Sequence, residues 1–148
     1  MFFETIKTAG KPATAGPCSP GLLAGDFLAV SSQLPIDPDT GSLCSDDVCE
    51  QMKQCLRNVF AILQEHGLGM RHIMNVHMYL TNMEDAEQVY AIYAQAFEGA
   101  YPALSCIGVN SLMKGAKVQL EAFAIDTRAL EILCAGQEHG SCEGCGGC

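Results

Sequence analysis

The sequence lacks tryptophan, contains few basic residues and has no long apolar run. Only 8 lysines and arginines stand against 17 acidic residues, so the formal net charge is -9. Nucleic-acid binding depends on clustered lysines and arginines, so this charge predicts that the protein has no nucleic-acid partner. A membrane-spanning helix needs about 18 or more consecutive apolar residues. The sequence has no such run, so no membrane partner is expected.

Cysteine is unusually frequent, with 9 residues in a chain of 148. The first residues lack the basic and apolar regions of a secretory signal, so an oxidising compartment is not expected. In a reducing compartment, cysteines remain thiols more often than they form a disulfide framework. The sequence therefore predicts reduced thiols and a cytoplasmic location, with Cys55 as a thiol in the core.

The first third of the chain reads as two strands separated by a loop. A weakly alternating segment at 2–8 and an apolar run at 27–31 are typical of strands. The segment 10–25 between them is rich in proline, glycine and small residues, which predicts a loop. Strong turn chemistry follows at 35–41, where prolines, aspartates and a glycine are concentrated.

The clearest helix lies in the middle of the chain. Its apolar residues recur at steps of three and four and so form one face: Val48, Met52, Cys55, Leu56, Val59, Ile62 and Leu63. Ser45 is expected to cap its start, while Asp46 and Asp47 complement the helix dipole. Gly67 is expected to end it.

The second half predicts one strand, one helix and two closing strands. The segment 73–80 alternates, with two unlike faces: Met74, Val76, Met78 and Leu80 on one, Asn75, His77 and Tyr79 on the other. A helix is expected at 84–98 because its apolar residues share one side. The two closing strands are expected near residues 104–109 and 117–125, which contain short apolar runs.

The order β-β-α-β-α-β-β predicts an α+β domain over residues 1–127. Strands that alternate with helices and then adjoin each other suggest one mixed sheet with both helices on one face. The opposite face would stay open, and self-association is the natural way to cover it. Residues 128–148 form a C-terminal extension, with a short helix at 129–134 and a tail rich in cysteine and glycine.

Several local motifs resemble those of the Rid (YjgF) family of small imine deaminases. Residues 101–106, Tyr-Pro-Ala-Leu-Ser-Cys, are similar to its Pro-Ala-Arg-Ser-Cys signature. Residues 30–36 resemble its Ser-Gly-Gln-Ile-Pro strand end, residues 37–41 its Asp-Pro-Thr-Gly turn, and residues 118–124 its closing strand. The resemblance covers residues 4–126. It implies a chorismate-mutase-like fold, a homotrimer and small-molecule ligands in clefts between subunits.

The resemblance also implies hydrolysis of 2-iminobutyrate and 2-iminopropanoate, but the substrate-binding positions are changed. The family's loop tyrosine is Cys18, its helix asparagine is Tyr90, its carboxylate-binding arginine is Leu104 and its water-associated glutamate is Gln119. Leucine offers no donors to a carboxylate, and glutamine cannot accept a proton as glutamate does. Weak or no activity on these imino acids is therefore expected.

Three residues that the resemblance marks as catalytic are retained: Ser31, Cys106 and Glu121. They leave two interpretations of the cleft open. The protein is either an imine or enamine hydrolase with altered specificity or a non-catalytic trimer that binds a small metabolite. For Cys106 alone the favoured interpretation is an inert half-buried thiol, and His77 is read as structural. No cofactor is expected for the core domain.

The tail suggests a different kind of site. His139, Cys142, Cys145 and Cys148 follow each other at three-residue steps. Four such ligands suit zinc or another soft metal, and the intervening glycines allow tight turns. The protein would then handle thiols or metals. The alternative is a solvated glycine-rich tail with incidental thiols, and the family resemblance does not extend to this segment.

Overall fold

The computed structural model describes residues 3–8 and 16–137 of the chain. In these residues six strands form one sheet: β1 (Glu4–Ile6), β2 (Gly21–Ala24), β3 (Phe27–Gln33), β4 (Ile73–Leu80), β5 (Ala103–Gly108) and β6 (Val118–Ile125). Three α-helices accompany them: α1 (Val48–Gln64), α2 (Ala86–Gln95) and α3 (Arg128–Gln137). The predicted α+β class, with one mixed sheet, is confirmed.

The strands follow the order β1-β2-β3-β6-β4-β5 across the sheet. Every neighbouring pair is antiparallel except β4 and β5, which run parallel. The parallel pair arises because α2 carries the chain back across the sheet before β5 begins, as parallel strands require. β5 forms one edge of the sheet, and β1 forms the other.

Helix α1 is fixed at both ends by local chemistry. The Asp47 side chain accepts a hydrogen bond from the Glu50 amide at 2.9 Å, so Asp47 is the N-cap. The predicted cap, Ser45, instead accepts from the Asp47 amide at 3.0 Å and shapes the turn before the helix. After the helix, Gly67 takes a φ of 70°, which favours glycine.

Helices α1 and α2 cover one face of the sheet, here called the helix-covered face. α1 packs on β3 and β6 and against α2. The central side chains of this face are fully or almost fully buried: Leu28, Val76, Met78, Leu80, Val118 and Leu120. Cys55 is fully buried among them, and this burial raises the pKa of its thiol. The prediction of a core thiol is confirmed.

Two sequence predictions were wrong in the first half of the chain. The predicted loop at 10–25 contains the strand β2, so the order begins with three strands. β2 forms because a turn at Gly25, with a φ of 60°, lets the segment pair with β3 from Gly21 to Ala24. Among the described residues 3–8 of the predicted strand 2–8, only Glu4–Ile6 pairs with β2, so the strand ends earlier than predicted.

One face assignment in β4 was also wrong. Met74 does not share the buried side of Val76 and Met78; it is 49% exposed. A register shift between Ile73 and Asn75, where β4 pairs with β6, inserts Met74 as an extra residue. Such a bulge turns the residues before it relative to the rest of the strand. Met74 therefore lies on the open face with Asn75.

The remaining elements lie close to their expected positions. The helix expected at 84–98 is α2, which is shorter because a 3-10 turn at Met83–Asp85 precedes it. The short helix expected at 129–134 is α3 and is longer. Within the described segments 3–8 and 16–137, no helix is long and apolar enough to cross a membrane. The cysteines in these segments are all free: Cys18, Cys44, Cys49, Cys55, Cys106 and Cys134.

Candidate functional site

On the open face of the sheet, three polar side chains surround the carboxylate of Glu121. His77 Nδ1 lies 2.7 Å from Glu121 Oε1, and the Tyr79 hydroxyl donates to the same oxygen at 3.0 Å. The Ser32 hydroxyl donates to the other carboxylate oxygen, Oε2, at 3.0 Å. The carboxylate is thus held from three sides, and we refer to these four residues as the Glu121 cluster.

Strand register brings the Glu121 cluster together. His77 lies directly opposite Glu121 where β4 pairs with β6, and Tyr79 follows two residues later on the same face. Ser32 reaches the carboxylate from β3, whose pairing with β6 is shifted between Val30 and Gln33. This irregularity turns Ser32 towards β6.

The electrostatics of the cluster keep Glu121 charged. Partial burial favours the neutral acid, but the hydrogen bonds from the three partners outweigh it and hold the pKa of Glu121 below its ordinary value. The side chain is therefore a carboxylate at neutral pH and only accepts hydrogen bonds. A carboxylate with a lowered pKa is also a weaker base, which limits its use in proton abstraction.

A cleft of about 430 Å³ lies beside the cluster, and we call it the His77 cleft. Its walls are largely apolar and carry few polar groups. The lining residues are Ala29, Val30, Met74, Asn75, His77, Glu121, Ala122 and Phe123. The side-chain oxygen of Asn75 is buried and has no hydrogen-bond partner in the described part of the chain. An apolar cleft with a few convergent polar groups is typical of small-molecule sites.

A second cleft, of about 690 Å³, adjoins the first at Ala29 and Val30 and contains Cys18 and Ser31. Cys18 is an exposed free thiol in the loop before β2. The Ser31 hydroxyl donates to the carbonyl oxygen of Ser19 at 2.6 Å, so its proton is already engaged. Ser31 therefore ties this loop to β3 rather than presenting a free hydroxyl to the cleft.

Leu104, Cys106 and Tyr90 lie on the helix-covered side of the sheet, near the β5 edge. Cys106 pairs with Met78 and packs against the core. A hydrogen bond to the Cys106 thiol, together with partial burial, raises the pKa of Tyr90. Leu104 is 37% exposed and presents an apolar surface where the family's arginine would stand.

The structure therefore divides the predicted site residues into two groups. Glu121, Gln119, Cys18 and Ser31 belong to the open face and its end. Gln119 lies opposite Tyr79 there and is half-buried. Leu104, Cys106 and Tyr90 form the other group, on the far side of the sheet. One chain does not bring both groups into one pocket.

The predicted metal ligands His139, Cys142, Cys145 and Cys148 lie outside the described residues. Within residues 3–8 and 16–137, no group of three or more histidine, cysteine, aspartate or glutamate side chains is placed to hold a metal ion. A tail site for zinc or another soft metal stays a prediction.

Sequence reasoning missed Ser32 and Tyr79 and read His77 as structural. The alternation of β4 does place His77 and Tyr79 together on one face, so the sequence showed that these two side chains are neighbours. The missing part was the register of β4 against β6, which a single sequence does not specify. Only that register shows that His77 and Tyr79 meet Glu121.

Comparisons with known proteins agree on one family. The model of the family described as endoribonuclease L-PSP matches residues 8–126. A RutC family protein, y4sK of Sinorhizobium fredii, is 40% identical over 121 residues, which are 82% of this chain and 96% of the relative. The 2-iminobutanoate/2-iminopropanoate deaminase of Salmonella typhimurium is 35% identical over 125 residues, or 82% of this chain and 97% of that enzyme.

The fold is likewise similar to solved structures. The crystal structure of YyfA from Yersinia pestis, a protein of unknown function of the conserved Rid protein family, has a TM-score of 0.80 at 36% sequence identity. The match covers 84% of this chain and 99% of YyfA. Both the sequence and the fold therefore point to the same family.

Proposed function

The chain belongs to the Rid family, and we propose that it is a homotrimer that binds a small metabolite in clefts between its subunits. The observation that carries this proposal is the division of the site residues between two faces of the sheet. Leu104 and Cys106 lie on one face and Glu121 on the other. A pocket that uses both groups needs residues from two copies of the chain.

The open face supports self-association. Phe27 is 50% exposed and stacks on Phe123, with ring centroids 5.8 Å apart. An apolar cleft of about 220 Å³ adjoins this pair and is lined by Phe3, Leu22, Ala24, Phe27, Ala29 and Phe123. Contiguous exposed apolar surface of this kind marks an interaction site, and a second copy of the chain is the simplest partner.

The ligand proposed here differs from a 2-imino acid at its carboxylate end. Leu104 offers no charge or hydrogen-bond donor, whereas an arginine would form a paired, charge-assisted contact with a carboxylate. Gln119 supplies no base, and the lowered pKa of Glu121 makes it a weak one. We therefore propose that deamination of 2-iminobutyrate and 2-iminopropanoate is weak or absent in this protein.

We also propose a location for the protein and weigh a second function. A cytoplasmic location is supported by the free cysteines between residues 16 and 137. Metal or thiol handling by His139, Cys142, Cys145 and Cys148 rests on the tail sequence alone, and no described contact favours it. We therefore place metabolite binding first.

Two measurements test the proposal. Sedimentation equilibrium of the full-length protein is expected to give three times the chain mass of 15.8 kDa. Ammonia release from freshly generated 2-iminobutyrate is expected to match the rate in buffer, with a Rid deaminase as the positive control. A monomeric mass contradicts the trimer, and clear acceleration contradicts the loss of deamination.

The role of Leu104 has its own test. Leu104→Arg is expected to tighten binding of 2-oxobutyrate, the deamination product of 2-iminobutyrate, by about tenfold or more, because a charge-assisted pair is restored. Leu104→Met is the matched control, since it keeps an apolar side chain of similar volume. Equal affinities in the two variants would mean that this position does not face the ligand.

A further inference from the structure

The Glu121 cluster fixes the protonation pattern of His77. Glu121 is a carboxylate, so each atom that contacts it at hydrogen-bond distance must donate a proton. His77 Nδ1, which lies 2.7 Å from Oε1, therefore carries the ring hydrogen. In a neutral imidazole the other nitrogen, Nε2, is then an acceptor with a free lone pair.

This acceptor is available to a ligand. The His77 side chain is 43% exposed and lines the His77 cleft. Within residues 3–8 and 16–137, its Nε2 has no hydrogen-bond partner. The hydroxyls of Tyr79 and Ser32 are occupied by Glu121, so they do not compete as donors. The cluster thus presents an oriented nitrogen acceptor to the cleft.

The rest of the cleft adds apolar surface and no positive charge. Met74, Phe123 and Ala29 supply the apolar walls. The side-chain oxygen of Asn75 is buried rather than open to the cleft, so we assign it no contact with a ligand. No lysine or arginine is among the described residues that line the cleft, while the Glu121 carboxylate is. An anionic group would meet like charge and no donors.

From this geometry we propose that His77, oriented by Glu121, is the hydrogen-bond acceptor through which the cleft recognises its ligand. The ligand class that fits is a small molecule with an N–H donor, neutral or cationic, attached to an apolar body. This inference deepens the proposed function and rests on it, because the cleft must remain open to a metabolite in the assembled protein. Glu121 acts here as a positioning residue.

The first experiment measures the His77 tautomer directly in the full-length, nitrogen-15-labelled protein. Two-bond nitrogen–proton spectra at pH 8 are expected to show a protonated Nδ1 and an unprotonated Nε2. The spectrum of His77→Phe assigns the signal, because one histidine then disappears. A protonated Nε2 overturns the proposal, whatever the oligomeric state or the deaminase activity proves to be.

The second experiment compares three probes with the same four-carbon chain: butanamide, butylamine and butyrate. Ligand-observed NMR titration of the wild type is expected to show binding of the amide and the amine, with butyrate weaker by about tenfold or more. Butyrate that binds as tightly as butanamide contradicts the proposal. Absence of binding by all three probes contradicts the ligand class as well.

Variants then test whether His77 is responsible. His77→Phe keeps a ring of similar size but removes the acceptor, so butanamide is expected to bind about tenfold more weakly. His66→Phe is the matched control, because His66 is half-buried at the end of α1 and does not line the cleft. Unchanged butanamide binding in His77→Phe overturns the proposal. A monomeric mass with the expected tautomer and probe preference would instead refute only the trimer.

Discussion

The two faces of the sheet are built from the same strands and have opposite characters. On the helix-covered face, Leu28 and Met78 are 0% exposed and Leu120 is 1% exposed. On the open face, Phe27 is 50% exposed and Met74 is 49% exposed. Because successive residues of a strand point to opposite faces, each strand contributes to both environments. The helix-covered face therefore holds the fold together, while the open face is the one to which we assign association and ligand binding by proposal.

Residues that adjoin in sequence show this division. Leu120 packs in the core, while Glu121 holds the polar cluster. Met78 is buried, while His77 and Tyr79 contact the Glu121 carboxylate. Substitutions on the helix-covered face should therefore lower the stability of each chain. Substitutions on the open face should mainly change association and ligand binding.

The largest effect is expected from the helix-covered face. Leu120→Ala removes a fully packed side chain and leaves a cavity, so the free energy of unfolding is expected to fall by about 2–5 kcal/mol. Urea denaturation followed by circular dichroism measures it. The control is Gln119→Ala, because Gln119 directly precedes Leu120 but lies on the open face. It is expected to change the free energy of unfolding by less than about 1 kcal/mol. Equal losses would contradict the contrast between the faces.

The next effect concerns assembly. Phe27→Ser removes half of the exposed Phe27–Phe123 stack, so the self-association proposed for the open face should weaken. Sedimentation velocity over a range of protein concentrations is expected to show dissociation at concentrations where the wild type stays assembled. Phe60→Ser is the control, because Phe60 is comparably exposed at 43% but lies on α1. An identical effect of both changes would mean that the open face is not the interface.

The helix-covered face was largely readable from the sequence, because burial imposes regular spacing. Apolar residues at steps of three and four predicted α1, and the alternation at 73–80 predicted β4 with its bounds. Met74 was misassigned because a bulge shifts the alternation by one residue, and this shift depends on the pairing with β6. β2 was missed because its glycine-rich flanks resemble a loop, and only its pairing with β1 and β3 makes it a strand.

The open face was much less readable. Glu121 was identified through the family resemblance, but its partners could not be, since they come from two other strands. Ser32 meets Glu121 only because the pairing of β3 with β6 is irregular after Val30. Such contacts depend on register and bulges rather than on composition. The geometry of the proposed site is therefore a tertiary property.

A third prediction uses the pH dependence of the Glu121 cluster. The pKa of Glu121 is lowered from its ordinary value of 4.5 in the folded chain. The cluster thus stabilises the fold above the unfolded pKa, and this stabilisation is lost as the pH falls through the folded value. Glu121→Gln is expected to lower the unfolding free energy at pH 7 by about 1 kcal/mol, a modest figure because the side chain is partly exposed.

Urea denaturation of wild type and Glu121→Gln at a series of pH values checks this prediction. The difference in stability should be full at pH 7 and shrink as the pH drops below the ordinary glutamate value of 4.5. Glu98→Gln serves as the control, since that carboxylate is exposed and takes part in no side-chain hydrogen bond or ion pair among the described residues. A difference for Glu121→Gln that does not change with pH would mean that charge does not hold the cluster together.

The smallest effect contrasts two tyrosines, one from each side of the sheet. Tyr93 of α2 is 4% exposed, and its hydroxyl has no hydrogen-bond partner in the described part of the chain. Burial also raises the pKa of this hydroxyl to about 12. Tyr93→Phe keeps the ring contact with Phe97, at 4.7 Å between centroids, and removes the unpaired group. The unfolding free energy is expected to rise by less than about 1 kcal/mol. Tyr79→Phe should instead lower it, because the hydroxyl donates to Glu121. Thermal and urea unfolding of both variants measure the two signs, and a loss of stability in Tyr93→Phe would show that its hydroxyl is paired in the assembled protein.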